Sequence, residues 1–158
     1  MREEVLSRVL KRLISGVYLL TCCRGEEING MPVSWASQVS SRPPLVMVAV
    51  RPDRYSHAMI EASGAFALSL LGRGQPGLVD RFMHPGPLKA EKFQGLEVER
   101  GVTGCPLLRD AAGFLECRVV GSQRPGDHTL FLGEVVAAGW YRDLPLLSMN
   151  DYGHSYGG

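Results

Sequence analysis

Ser34-Trp35-Ala36-Ser37-Gln38-Val39-Ser40-Ser41-Arg42-Pro43-Pro44-Leu45-Val46-Met47-Val48-Ala49-Val50 is the stretch on which the reading of this chain turns. Its first half is rich in hydroxyls, and its second half is an unbroken apolar run of strand length. Pro43-Pro44 stands between them; proline cannot donate a ladder hydrogen bond, so the pair marks a break or a strand edge. A hydroxyl cluster that abuts a core strand could hold an anionic, planar ligand, with the serines and backbone N–H groups as donors. The same serines could equally solvate one strand face, as they do in many loops and strands.

Working outward, Leu45 to Val50 reads as a central strand and Met31 to Ser40 as a strand with an irregular start at Pro32. Upstream, Val17 to Cys23 reads as a strand and Arg24-Gly25-Glu26-Glu27 as an exposed turn. Val5, Leu6, Val9, Leu10, Leu13 and Ile14 recur at three- and four-residue spacing, which predicts a helix over 2–14 with Gly16 as its stop. Downstream, Ser56 is read as an N-cap for a short helix through Glu61, closed by Gly64. Phe66 to Leu71 is a further strand, Gly77 to Met83 a helix, His84 to Pro87 a loop and Lys89 to Phe93 a helical piece. Phe114 to Ser122 and Thr129 to Trp140 are the longest strand-like runs, joined by a hairpin-like connection at Gln123 to His128. The tail from about 147 to 158 is rich in Gly, Tyr and Ser and is read as either flexible or folded over a neighbour. Several strands, few helices and short turns predict a mostly β fold with short helices, an antiparallel, Greek-key-like barrel that is closed or nearly so.

The chain has 158 residues, which fits one domain over 1–158. With 45% apolar residues it can build a core without disulfides. The net charge is +1 with both signs interspersed, so no basic stripe points to nucleic acid. The apolar runs are too short to cross a bilayer, and Met1-Arg2-Glu3-Glu4 lacks the apolar centre of a signal peptide; a cytoplasmic protein is expected. Cys22, Cys23, Cys105 and Cys117 show neither a C-x-x-C nor a zinc spacing and are read as small buried hydrophobes. Adjacent in a strand, Cys22 and Cys23 point to opposite faces.

Arg51, Arg54 and Ser56 follow the central strand and could return to the end of the barrel where the serines lie. Gly126-Asp127-His128 puts an imidazole at a turn beside two long strands, where it either meets a ligand or caps the hairpin. His57, His84 and His154 lack the i, i+4 spacing of a metal pair, so no metal is expected. Trp35 or Trp140 could stack on a ligand, although core or interface packing is more common for tryptophan. No G-x-G-x-x-G follows a strand, which excludes a dinucleotide fold of the Rossmann kind.

Taken in order, these segments resemble the flavin reductase-like family, whose fold is the FMN-binding split barrel. The polar strand, Pro43-Pro44 and the apolar strand resemble that family's flavin-contacting segment. Arg54-Tyr55-Ser56-His57 falls where it has its phosphate-side turn and helix start. Ser63 to Leu71 resembles its Ser-Gly, Phe and strand segment, Lys92-Phe93 a Lys-Phe pair, and Glu116-Cys117-Arg118 with Gly126 to Val135 its last two long strands. Met31-Pro32 depart from the small or hydroxyl residues that many members carry. The resemblance implies FMN, or FAD, with Ser34, Trp35, Ala36 and Ser37 along the ring system. Ser40, Arg51 and Ser56 would reach the phosphate or ribityl with Tyr55 nearby, His57, Lys92 and Phe93 would be further flavin-binding residues, and His128 would lie near the flavin or the nicotinamide. It further implies a homodimer, transient NADH or NADPH, and hydride transfer to the flavin. Electrons would pass on to free flavin, oxygen, ferric iron, or a redox-protein or monooxygenase partner. A flavin electron carrier without direct NAD(P)H activity is the alternative it leaves, and a barrel without flavin the third.

Overall fold

The computed structural model describes residues 2–84 and 89–157, with side chains at 89 and 90 left aside. The loop expected at Pro85 to Pro87 therefore lies outside the described residues. In chain order the elements are α1 (Glu3–Leu10), β1 (Tyr18–Arg24), β2 (Glu27–Val33), β3 (Ala36–Ser41), β4 (Pro44–Val50), α2 (Tyr55–Ser63), β5 (Ala65–Leu70), α3 (Pro76–Phe82), α4 (Lys89–Phe93), β6 (Val98–Arg100), β7 (Pro106–Leu108), β8 (Gly113–Gln123), β9 (Thr129–Trp140) and α5 (Met149–Tyr152).

Seven strands form one antiparallel sheet in the order β2-β1-β5-β8-β9-β4-β3, and β6 and β7 make a separate ribbon. The two edge strands, β2 and β3, are consecutive in sequence, joined by Ser34 and Trp35 alone. Two connecting residues reach only about 10 Å between Val33 and Ala36. The sheet therefore curls until its edges nearly meet at that end. Leu20, Cys22, Phe66, Leu68, Cys117, Phe131, Val46, Val48 and Val33 point into the curl and share one core cluster, plugged by Met59 and Ile60 of α2. The edges are not hydrogen-bonded to each other, so the expected barrel is split rather than closed.

The strand expected from Met31 to Ser40 is two strands. Pro32 lies in β2 opposite Leu19, and the chain leaves the sheet edge at Ser34 before starting β3 at Ala36. Pro44 opens β4 opposite Ser41, after a cis Arg42–Pro43 bond in the hairpin turn. The N-cap of α2 is Arg54, without a side-chain cap; Ser56 lies inside the helix and is buried. Gly64 ends α2 in the left-handed region at φ 65°, as its missing Cβ allows.

The predicted helix over 2–14 is shorter, Glu3–Leu10, and unwinds through Lys11 to Leu13. The reason is tertiary: Gly16 must be extended to bridge Ser148, and Val17 N–H donates to Leu147 O. None of the residues of α1 is buried, and Val9, Leu13 and Ile14 of its apolar pattern are 60%, 72% and 84% exposed.

All four cysteines are free and buried. Cys22 belongs to the inner core and Cys23 to a second cluster with Cys105 beneath β7, on opposite faces of β1. Burial pushes the Cys22, Cys105 and Cys117 thiols up to about 12, which suits packing rather than reactivity. Glu116 is buried as a carboxylate that accepts from Val102 and Thr103 N–H and from Thr103 Oγ1, so it pins the turn between β6 and β7.

Candidate flavin site at the split of the sheet

Val50 of β4 pairs with Thr129 of β9, so Arg51 and His128 leave the sheet side by side. The Ser34–Trp35 link crosses the split at this same end, held by an Ala49 N–H to Trp35 O bond of 2.9 Å. The indole of Trp35 lies 4.7 Å from the His128 ring. A cavity of about 330 Å3 opens beside these groups. Val17, Val33, Ala49 and Val79 line its apolar floor, Ser34 and Trp35 one side, and Arg51, Asp53 and Arg54 its polar rim. The C-terminal part of the chain completes the lining with Met149, Tyr152, His154, Ser155 and Tyr156. The volume falls in the range of small-molecule sites, about 300–1,000 Å3.

The cation set is uneven. Arg51 is paired with Asp53 at 3.1 Å, on the surface. No hydrogen bond or ion pair among the described residues ties the Arg54 side chain. Lys92 is buried, and its Nζ donates to Asn29 Oδ1 and Gly30 O, both neutral, at 3.0 Å each. Burial lowers the Lys92 pKa below the usual lysine value, and the positive charge of Arg54 lowers it further. A buried ammonium beside a second cation, with no carboxylate between them, is an arrangement an anion would relieve.

His128 is held from both sides. Its Nδ1 lies 2.6 Å from Asp127 Oδ1 and its Nε2 2.8 Å from Tyr156 Oη. The hydrogen bond from His128 is the main reason that Asp127 titrates below the usual carboxylate range. An aspartate on Nδ1 fixes ring orientation, and Nε2 meets the cavity lining through Tyr156.

The structure sorts the candidate residues. Ser34, Trp35 and Arg51 line the cavity and His128 stands against Trp35. Ala36 and Ser37 instead line a second, mostly apolar cavity with Tyr18, Leu68 and Leu115. Ser40 pairs with Leu45, six residues before Arg51, which puts it about 20 Å along the strand from the cavity rim. Tyr55 Oη donates to Glu27 on β2. Ser56 Oγ accepts from Asn29 Nδ2, so Ser56, Asn29 and Lys92 form one buried chain. His57 Nε2 sits 2.7 Å from Thr129 Oγ1, beneath Phe131, and is packed rather than presented. Phe93 packs edge-on to Phe82 at 5.1 Å.

Asn29 and the tail were not legible in advance. Asn29-Gly30 carries a turn signature, yet it lies mid-strand with its amide buried. Tyr152, His154 and Tyr156 alternate like strand residues, and that alternation was the one available signal for the tail.

Residues 10–156 match the model of the flavin reductase like domain. The chain belongs to that family. A ferric-chelate reductase (NAD(P)H) of Archaeoglobus fulgidus is 32% identical over 139 residues, covering 87% of this chain and 82% of the relative. Diflavin flavoprotein A 1 of Synechocystis is 32% identical over 84% of this chain, but the chain spans only 23% of that protein's length. Among solved structures, an NADH:FAD oxidoreductase of Streptomyces globisporus superposes with a TM-score of 0.82 at 33% identity, covering 93% of this chain and 90% of its own. An FMN-binding protein of Thermus thermophilus gives 0.76 at 29% identity, with 82% and 72% covered. In this flavin reductase like domain the Ser34–Trp35 link bridges the split at the end where Arg51, Arg54 and His128 collect.

The donor set fits a flavin mononucleotide. The cavity offers an apolar floor and a tryptophan for a ring system and Arg54 on its rim for a phosphate, with the buried Lys92, which does not line the cavity, as a second positive charge near Arg54. Among the described residues no group of three or more His, Cys, Asp or Glu could hold a metal ion, and no helix is long and apolar enough to cross a membrane.

Proposed function

We propose that this chain binds FMN at the split of the sheet and catalyses its reduction by NADH or NADPH, with FAD as the alternative flavin. The observation that carries this reading is a mostly apolar, Trp-sided cavity with Arg54 on its rim, a cation that no carboxylate among the described residues pairs, and the buried Lys92 near it. Relatives named as an NADH:FAD oxidoreductase and a ferric-chelate reductase support it. Bound flavin supplies the redox chemistry, by accepting a hydride from a nicotinamide and passing electrons on. The protein's part is placement. Arg54 and Lys92 hold the phosphate. Ser34 and the backbone around it offer hydrogen bonds to the ring edge, and Trp35 keeps water from one side. His128, oriented by Asp127, presents Nε2 to whatever lies against Trp35. No side chain needs to act as nucleophile.

Ferric iron, free flavin, oxygen or a redox protein are the acceptors this reading allows. The exposed apolar residues of α1 and of the turn after it would be covered in a homodimer, with Val9, Leu13 and Ile14 buried between copies. Sedimentation of the purified protein is expected to give twice the chain mass, and the Leu13→Asp variant to return it to one.

The first test is the visible spectrum under anaerobic conditions. A flavin double band that bleaches on adding NADH or NADPH is the expected result. A band that both nucleotides leave intact, but that a protein donor bleaches, would replace the reductase with an electron carrier. A protein that stays colourless after soaking in FMN would sink both.

A further inference from the structure

The C-terminal tail crosses the mouth of the cavity, and nothing in the flavin reading explains it. After α5, capped by the reciprocal Ser148 and Asp151 bonds, Gly153 turns the chain back at φ 82°. Past Gly153 no backbone hydrogen bond among the described residues holds residues 154–157. Side-chain contacts anchor the segment: His154 packs 4.6 Å from the Tyr152 ring, and Tyr156 makes the one side-chain hydrogen bond among its described residues. Tyr156 Oη meets His128 Nε2 at 2.8 Å, and its ring stands edge-on to Trp35 at 4.9 Å. Gly157 presses so closely on the indole that a Cβ there would lie 2.4 Å from Trp35 Cζ2. Yet the Tyr156 ring is 48% exposed.

We propose that Tyr156 is a gate residue that holds the position of the second substrate. This rests on the flavin reading of the cavity. A planar ring already sits against Trp35, with its hydroxyl on His128 Nε2. A nicotinamide has the same two features, a flat ring and a carboxamide that can satisfy His128 Nε2. The two cannot occupy that place together. The nucleotide must displace Tyr156, and the glycines at 153 and 157 let the tail swing without strain. When the nucleotide leaves, Tyr156 returns and covers the face of the flavin where oxygen and water would otherwise reach it. A permanent wall would be tied by its backbone; among the described residues, 154–157 are held by side-chain contacts instead.

The gate predicts a graded series. Affinity for the nucleotide is reduced by the fraction of time the tail is open. A tail closed nine-tenths of the time would weaken binding about tenfold. Oxidised NAD, which binds without reacting, is titrated calorimetrically into the FMN-loaded protein, and FMN into the flavin-free protein. Tyr156→Phe keeps the ring and loses the His128 bond; it is expected to bind NAD about threefold tighter. A chain ending at Gly153 is expected to bind it about tenfold tighter, with FMN affinity within twofold of the full chain. Nucleotide affinity that is unchanged or weaker in the shortened chain overturns the gate. So does a loss of FMN affinity beyond about fivefold, which would make the tail a wall of the flavin site. If the full chain binds no FMN, the flavin reading itself has failed, and the gate falls with it before any variant is compared.

Discussion

Arg54→Ala is expected to weaken FMN binding about tenfold and Lys92→Met about a hundredfold, with riboflavin binding unchanged in both. A charge-assisted hydrogen bond contributes about 1.5–3 kcal/mol, which is about 10- to 150-fold in affinity. Arg54 is half-exposed and takes the lower end; Lys92 is buried and takes the upper. Riboflavin lacks the phosphate, so it separates a phosphate contact from a general disturbance of the site. The sign with pH follows from the lowered Lys92 pKa. The phosphate needs the protonated ammonium. FMN affinity should therefore fall as pH rises through a value below the usual lysine 10.5, and riboflavin affinity should not. Removing the Arg54 charge takes away one of the two causes of that shift, so Arg54→Ala should move the fall to higher pH. Equal losses for FMN and riboflavin would place the phosphate elsewhere.

Phe66→Ala is expected to cost about 3–5 kcal/mol of folding stability, the range for a phenylalanine lost from a packed core. Phe66 is fully buried where β5, β8 and β9 face one another. It fills the space that Gly133 leaves: a Cβ on Gly133 would lie 2.6 Å from the Phe66 Cζ and 2.6 Å from the Cys117 Cβ. Gly133→Ala alone should therefore cost about 1–3 kcal/mol by overpacking. The two changes are not independent. With the ring removed, half of the collision disappears and the other half, with Cys117, remains. The double variant is expected to be at least about 1 kcal/mol more stable than the sum of the single losses predicts. Urea unfolding of the four proteins measures this. Strict additivity would mean that the ring does not occupy the space over Gly133.

Most of the strands could be read along the chain because their signals are local. Thr129 to Trp140, Leu45 to Val50 and the Phe66 segment carry apolar runs or alternation bounded by Gly, Pro or a turn, and each became a strand within a residue or two of its expected limits. Gly64 could be read as a stop because only a residue without Cβ is at ease in the left-handed region it occupies. The fold class followed from the count and spacing of these elements. The family resemblance covered the same ordered segments.

The candidate site was only partly legible. Ser34, Trp35, Arg51 and His128 come from three separate connections, and they meet because a seven-stranded sheet curls until its edges nearly touch. Ala36, Ser37 and Ser40 look alike in sequence to Ser34, but strand rise carries them away from the rim by about 3.3 Å per residue. Ser56 carries the residue type of a cap. The helix is capped two residues earlier, at Arg54, and the Ser56 hydroxyl turns inward to Asn29. The apolar spacing at the N-terminus predicted helix to Ile14, but pairing of Gly16 and Val17 with the tail at Leu147 and Ser148 stops it at Leu10.

By itself, then, the sequence determined the strands, the turns and the family, because alternation, glycine and proline act through a residue's immediate neighbours. Tertiary structure alone decided which polar residues share the cavity, that Lys92 is buried beside Arg54, and that Tyr156 stands on His128. Those contacts join residues far apart in the chain, such as Trp35 and Tyr156 at the cavity, and Lys92 and Asn29, which are 63 positions apart. They depend on sheet curl and register, which no short window of residues encodes.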